Sequence, residues 1–304
     1  MVKITAKEVL FISGSVGLGH VGRDLEIAKA LRRQHSEMNL SWLADDPATV
    51  VLRDEGEKLL PEASLLTHGS RQLSDSANDY RANLTRWVMN MRKDWAANTK
   101  IIFDVTAKEH FDLVIGDETY DIIVELGKNP NLKKFPFVMI YDFIGMDTVT
   151  RNPIDALTTY MTNRRWANIL AAKPPRIDRQ IFIGEIEDVP DSSFGFMLPN
   201  RRMLAQKYID FVGYILRFDP KAYEDKKQVR KKLGYDDEQL IVCSIGGTTA
   251  GSPLLNLCAK AYPIMRKEIP NLKMVLVCGP KLQPDSVQAS EGIEIKGYVP
   301  NLHE

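Results

Sequence analysis

Residues 11–31 read Phe11-Ile-Ser-Gly-Ser-Val-Gly-Leu-Gly-His-Val-Gly-Arg-Asp-Leu-Glu-Ile-Ala-Lys-Ala-Leu31. Five small residues, Ser13, Gly14, Ser15, Gly17 and Gly19, crowd into seven positions. The apolar run at 9–12 reads as a buried strand before them. Leu25, Ala28 and Leu31 recur at helical spacing after them, while Arg23, Asp24, Glu26, Lys29 and Arg32 fall off that stripe. Glycines let a chain turn sharply and let a ligand come close. The helix that follows offers unpaired N–H groups and a partial positive charge, which suits phosphate. A tight strand-to-helix turn with no ligand would need the same glycines.

The alternation continues outward. Apolar runs at 40–44, 64–67, 113–115, 137–140, 180–183 and 211–215 read as strands, separated by helical patterns. Residues 75–110 read as a long helical region carrying Trp87, Met91 and Trp95 at fourfold spacing, most simply as core. Strands buried on both faces and separated by helices predict a parallel, doubly wound sheet. A charged stretch ending near Gly234 suits a linker and an entry helix with a glycine C-cap. A second series follows, with strands at 240–244, 273–278 and 293–296, a loop at 246–249 and a helix at 254–269. The fold class expected is α/β, two Rossmann-like domains with the second incomplete. The boundaries are 1–210, a hinge at 211–225, and 226–304. The second series stops short of the usual ~5–6 strands, so the polypeptide is expected to continue past residue 304, and residues 1–304 alone to be inactive.

The totals agree with a two-domain soluble protein. A chain of 304 residues exceeds one domain at ~150 residues each. Forty basic residues balance forty acidic ones, which gives no reason to expect nucleic acid as partner. No run reaches the ~18 apolar residues of a membrane span, although one apolar loop would suffice for a peripheral membrane contact. Cys243, Cys258 and Cys278 are an odd set without metal-ligand spacing, which predicts free thiols and a reducing cytoplasm. Gly14, Gly17 and Gly19 have the order G-x-x-G-x-G, not the G-x-G-x-x-G of dinucleotide sites. An oxidoreductase is disfavoured on that ground, even with Asp45 or Asp46 available for a ribose.

The run from Gly17 to Leu31 resembles the opening loop and helix of two-domain, GT-B-type glycosyltransferases. Those include the glucuronosyl- and glucosyltransferases and the peptidoglycan N-acetylglucosaminyltransferase. Ile241-Val-Cys-Ser-Ile-Gly-Gly-Thr248 is similar to the first strand and loop of their nucleotide-sugar domain. Gly297-Tyr-Val-Pro-Asn-Leu-His303 is similar to the segment just before their donor site. The three matches stand in family order and span nearly the whole chain.

The resemblance implies transfer of a sugar from a nucleotide-diphosphate sugar, a uridine-diphosphate sugar above all, to a hydroxyl acceptor. The acceptor is a small molecule or lipid-linked. No cofactor and no metal are implied, and no DxD-type motif is placed to bind one. His20, neutral at a helix N-terminus, would take the acceptor's proton; capping the helix or touching the acceptor would be its plainer roles. Asp117 matches the family's strand-end aspartate that orients such a histidine, with Glu118 able to substitute and a turn or N-cap as its plainer role. Gly17, Gly19 and Asp142 would line the acceptor site. Gly246, Gly247, Thr248, Tyr298 and Val299 would contact the donor, the valine's main chain facing uracil. A sugar-nucleotide epimerase of the same fold and a non-catalytic binding protein remain as alternatives. His68, His110 and His303 are without identified partners, and Arg164, Arg165, Arg201 and Arg202 read as solvated.

Overall fold

The computed structural model describes residues 7–14, 18–66, 77–78, 81–82, 84–148, 151–173, 176–246, 251–300 and 302–304, with backbone alone at 77–78, 81–82 and 84–93. These residues fall into two compact units. One is built mainly on His20–Gly69 and Leu84–Ile215, the other mainly on Leu216–Glu304.

The larger unit is a six-stranded parallel sheet. Its strands are β1 (Lys7–Ile12), β2 (Met38–Leu43), β5 (Leu113–Asp117), β6 (Phe137–Tyr141), β7 (Arg179–Phe182) and β8 (Asp210–Phe211), in the order β2-β1-β5-β6-β7-β8. Every neighbouring pair runs parallel. Helices α1 (Gly19–Gln34), α2 (Ala48–Asp54), α3 (Leu84–Lys108), α4 (Tyr120–Lys128), α5 (Pro153–Leu170) and α6 (Arg201–Tyr208) connect them. The central strands are apolar on both faces because helices cover both. Leu10, Val114, Phe137, Met139 and Tyr141 are sealed in one core, and Phe11 stacks on Trp42 across β1 and β2 at 4.6 Å. The order reverses at β1: the chain first builds outward to β2, then returns to add β5 on the other side. Ligands of open α/β sheets bind at such a point, outside the carboxyl ends of the strands.

Three expected elements differ. Of the strand expected at 64–67, the described residues 64–66 form none, and Thr67 lies outside the described residues. The strand-like pairing falls earlier, where Leu59 bridges Trp42, and Pro61 then opens a 3-10 turn, Pro61–Leu65. Proline has no N–H to continue a ladder. The region 75–110 is not one helix: Ala77–Asn78 and Arg81–Ala82 (β3 and β4) pair antiparallel before α3 begins at Leu84. Asn78 and Asp79 favour turns over helix. The strand expected at 211–215 ends at Phe211, because Gly213 takes φ 71° and turns the chain back to bridge Gly184.

The smaller unit has three parallel strands, β9 (Gln239–Ser244), β10 (Leu272–Val277) and β11 (Ile293–Lys296), in the order β11-β10-β9. Helix α7 (Lys226–Lys232) ends at Gly234, whose φ of 80° is the left-handed turn a helix C-terminus favours. Helix α8 (Ser252–Glu268) packs Leu255, Ala259 and Tyr262 against Leu272, Met274 and Leu276. A Cβ at Gly279 would collide with the carbonyl of Gly246, so the loops after β9 and β10 touch only because position 279 is bare.

Candidate active site

β1 and β5 are adjacent and parallel, with Ile12 opposite Gly116, so the residues that follow them emerge at one edge. Ser13 and Gly14 leave β1, and His20 is the second residue of α1. Asp117 ends β5 and is fully buried. Parallel pairing thus brings together side chains 97 residues apart: His20 Nδ1 lies 2.7 Å from Asp117 Oδ2. A Cβ on Gly14 would stand 3.1 Å from the His20 ring and 3.2 Å from Asp117 Oδ2, so the glycine makes room for the pair.

Arg23, one helical turn after His20, closes the group. Its Nη2 donates to Asp117 Oδ1 at 2.6 Å and its Nη1 to Asp142 Oδ2 at 2.9 Å, just past the end of β6. Burial works against the guanidinium's charge, but Asp117 and Asp142 outweigh it and raise its pKa. Arg23 Nη2 also lies 2.8 Å from His20 Nδ1. The guanidinium can only donate. The carboxylate can only accept, so the two neighbours make opposite demands on Nδ1; assigning the Nδ1 proton to the shorter contact, donated to Asp117, leaves the Nε2 lone pair free. That is the tautomer a general base needs.

Two further acids surround the pair. Asp24 is fully buried and accepts from Ser13 Oγ at 2.6 Å. Burial first, then the charge of Asp117, pushes its carboxyl well above the usual range. Glu118 faces His20 from the other side, with Oε2 3.8 Å from Nε2 and Oε1 accepting from the Tyr120 hydroxyl at 3.2 Å. Burial and its hydrogen bond to Asp142 raise Glu118 well above the usual range. Burial alone would raise Asp142 too, but the bond from Glu118 and the charge of Arg23 hold it below. His20, Glu118 and Asp142 place ligand-type atoms within 4.8 Å of one another. Within the trio, Asp142 is ion-paired with Arg23 and Glu118 is hydrogen-bonded to Asp142.

Below this network the larger unit holds a cavity of 130 Å³ walled by Tyr120, Tyr141, Trp166, Trp95, Ile123 and Met146. Trp95 of the expected stripe borders this cavity; the side chains of Trp87 and Met91 lie outside the described residues. In the smaller unit, Gly246, Tyr298 and Val299 line one hollow with Ser244, Val277 and Gly279 at the carboxyl ends of β9 and β10. Gly19 heads α1. Gly17, Gly247 and Thr248 lie outside the described residues.

The sequence reading gave Arg23 and Asp24 no role, because it set them off the apolar stripe of α1. The available signal was spacing: Arg23 follows His20 by three residues, which share a helix face. Arg201 is a correction. It is 3% exposed, not solvated, and its guanidinium grips Asp147 at 2.6 Å and the Met146 carbonyl at 3.1 Å. His303 also has partners, stacking on Phe218 at 4.4 Å and lying 3.3 Å from the Tyr223 hydroxyl; His110 lies 3.7 Å from Asp112. The three cysteines are free thiols.

No protein-family model and no curated protein matches the sequence. Solved structures do match in fold. Sucrose-phosphate synthase from Thermosynechococcus elongatus superposes with a TM-score of 0.53 at 11% identity, over 96% of this chain and 71% of that one. The calicheamicin glycosyltransferase CalG4 gives 0.51 at 13% identity, over 97% and 70%. The spinosyn rhamnosyltransferase SpnG, complexed with spinosyn aglycone, gives 0.51 at 13% identity, over 96% and 71%. Two parallel α/β units, similar over nearly their whole length to these transferases, make this chain one with the GT-B glycosyltransferase fold.

Proposed function

We propose that the protein transfers a sugar from a nucleoside-diphosphate sugar, with uridine as the nucleoside, to a hydroxyl acceptor. The acceptor oxygen attacks the anomeric carbon, and the bond from that carbon to the diphosphate oxygen breaks. The acceptor's proton passes to His20 Nε2. Asp117 holds the imidazole by Nδ1 and stabilises the imidazolium that forms. The observation that carries this reading is the 2.7 Å bond between His20 and Asp117 at the point where the sheet order reverses. The hollow at Gly246, Tyr298 and Val299 is the donor's place in the smaller unit, with main-chain groups and no metal meeting the diphosphate.

The same proposal places the protein in the cytoplasm, where its three free cysteines stay reduced. Among the described residues, no helix is long and apolar enough to cross a membrane. Phe196 and Met197, 82% and 87% exposed on the loop before α6, are where a peripheral membrane contact would form.

The test is transfer by the full-length protein from a panel of nucleotide sugars to hydroxyl acceptors, scored by release of the nucleotide. His20→Ala should lower kcat by roughly 10²–10⁴. Turnover that survives this substitution unchanged would remove the base from the mechanism.

A further inference from the structure

Glu118 is held in place more firmly than a loop side chain needs. Its backbone takes φ 52°, a left-handed conformation uncommon for a glutamate, and its N–H donates to the Ile140 carbonyl at 3.0 Å. Strained backbone of this kind gathers at functional sites. The side chain is then pinned by the Tyr120 hydroxyl on Oε1 and by the proton it shares with Asp142. Asp142 is already ion-paired with Arg23, so the proton belongs to Glu118.

This arrangement leaves an acceptor beside the base. His20 Nε2 presents a lone pair. Glu118 Oε2, 3.8 Å away, retains lone-pair capacity beyond what the proton to Asp142 uses. A ligand with a single hydroxyl has one hydrogen. If that hydrogen goes to Nε2, the hydroxyl oxygen faces Oε2 with lone pair against lone pair. A ligand with a second hydroxyl on the neighbouring carbon satisfies both atoms, one donor to each.

We propose that Glu118 is a specificity residue of this site, and that the acceptor is a vicinal diol whose second hydroxyl donates to Glu118 Oε2. The idea rests on the transferase reading, which supplies the role of His20. The reacting hydroxyl donates to Nε2, and its neighbour fixes which oxygen stands there.

A binding measurement separates this from the question of transfer. The probes are trans-cyclohexane-1,2-diol and cyclohexanol, titrated into the full-length protein without donor and followed by the His20 imidazole resonances. An acceptor group left unpaired loses a factor of roughly 5–150 in affinity. The diol should therefore bind at least about fivefold tighter than the alcohol. In Glu118→Ala that ratio should fall to near one. In Glu118→Gln, whose amide oxygen accepts from the same place, it should largely persist. A misfolded or loosened variant would weaken both probes alike and leave the ratio unchanged, so the ratio isolates the contact. Equal binding of the two probes to the parent protein, no detectable binding of either, or an unchanged ratio in a Glu118→Ala protein that keeps the parent's melting temperature overturns the proposal. A protein that prefers the diol yet transfers no sugar would instead sink the transferase reading.

Discussion

Arg23 Nη2 and Asp117 Oδ1 stand 2.6 Å apart, and Asp117 has no solvent exposure. One buried carboxylate thus meets two donors, the guanidinium on one oxygen and the imidazole of His20 on the other. The orientation of His20 depends on a residue that touches no substrate.

Removing Arg23 leaves Asp117 and Asp142 without their shared cation. Breaking a buried pair in this way costs about 3–5 kcal/mol. Arg23→Ala should show that loss in denaturant unfolding, along with a lower kcat. Arg23→Lys should recover only part of both, because a single ammonium cannot span two carboxylates as a planar fork does. Full recovery by lysine would show that charge alone matters here.

Asp24 gives a pH signature. Its carboxyl is raised in the folded state, so the native protein binds more protons than the unfolded chain above the ordinary carboxylate pKa of about 3.9. Stability from this group is therefore full at low pH and is lost as pH climbs toward the folded-state value. Asp24→Asn keeps a neutral side chain and escapes the loss. Its melting temperature relative to the parent should rise steadily from pH ~4 to neutral. A difference that stays flat across that range would mean Asp24 carries no proton.

Gly14→Ala tests the closeness of the pair. The added methyl would press on the His20 ring and Asp117 Oδ2 at 3.1 and 3.2 Å. Overpacking of this kind costs about 1–3 kcal/mol. Activity should drop more than stability, since the displaced groups are the proposed base and its carboxylate partner. Unfolding curves and kcat measured on one preparation separate the two effects.

Phe196 and Met197 test the membrane contact. Replacing both with glutamate should abolish sedimentation with lipid vesicles while leaving turnover of a water-soluble acceptor unchanged. Vesicle binding that survives the double substitution would place the contact elsewhere.

Much of the frame was legible from pattern. The short apolar runs at 9–12, 113–115 and 137–140 announced buried parallel strands, and their ends delivered His20 and Asp117 to one edge. The failures have local causes. Pro61 blocked a strand whose composition was otherwise suitable. Gly213 turned back a strand that apolar content had extended. Arg23, Asp24 and Arg201 looked like surface charges, because a helical stripe counts apolar residues and cannot see a carboxylate waiting on another strand. Glu118 was visible only as the neighbour of Asp117. Its backbone twist, which aims it at His20, leaves no mark in the sequence.

The bond between His20 and Asp117 spans 97 residues, and nothing local can form it early. It requires β5 to have docked on β1, with α1 already seated. Long-range pairings of this kind are slow to close, because the loop between them must be ordered first. The imidazole signal of His20 is therefore a clock for sheet assembly. During refolding it should reach its native value only when the first and fifth strands have met, after helices such as α4 have formed. The same pair that would move a proton also records the moment at which the chain acquires its topology.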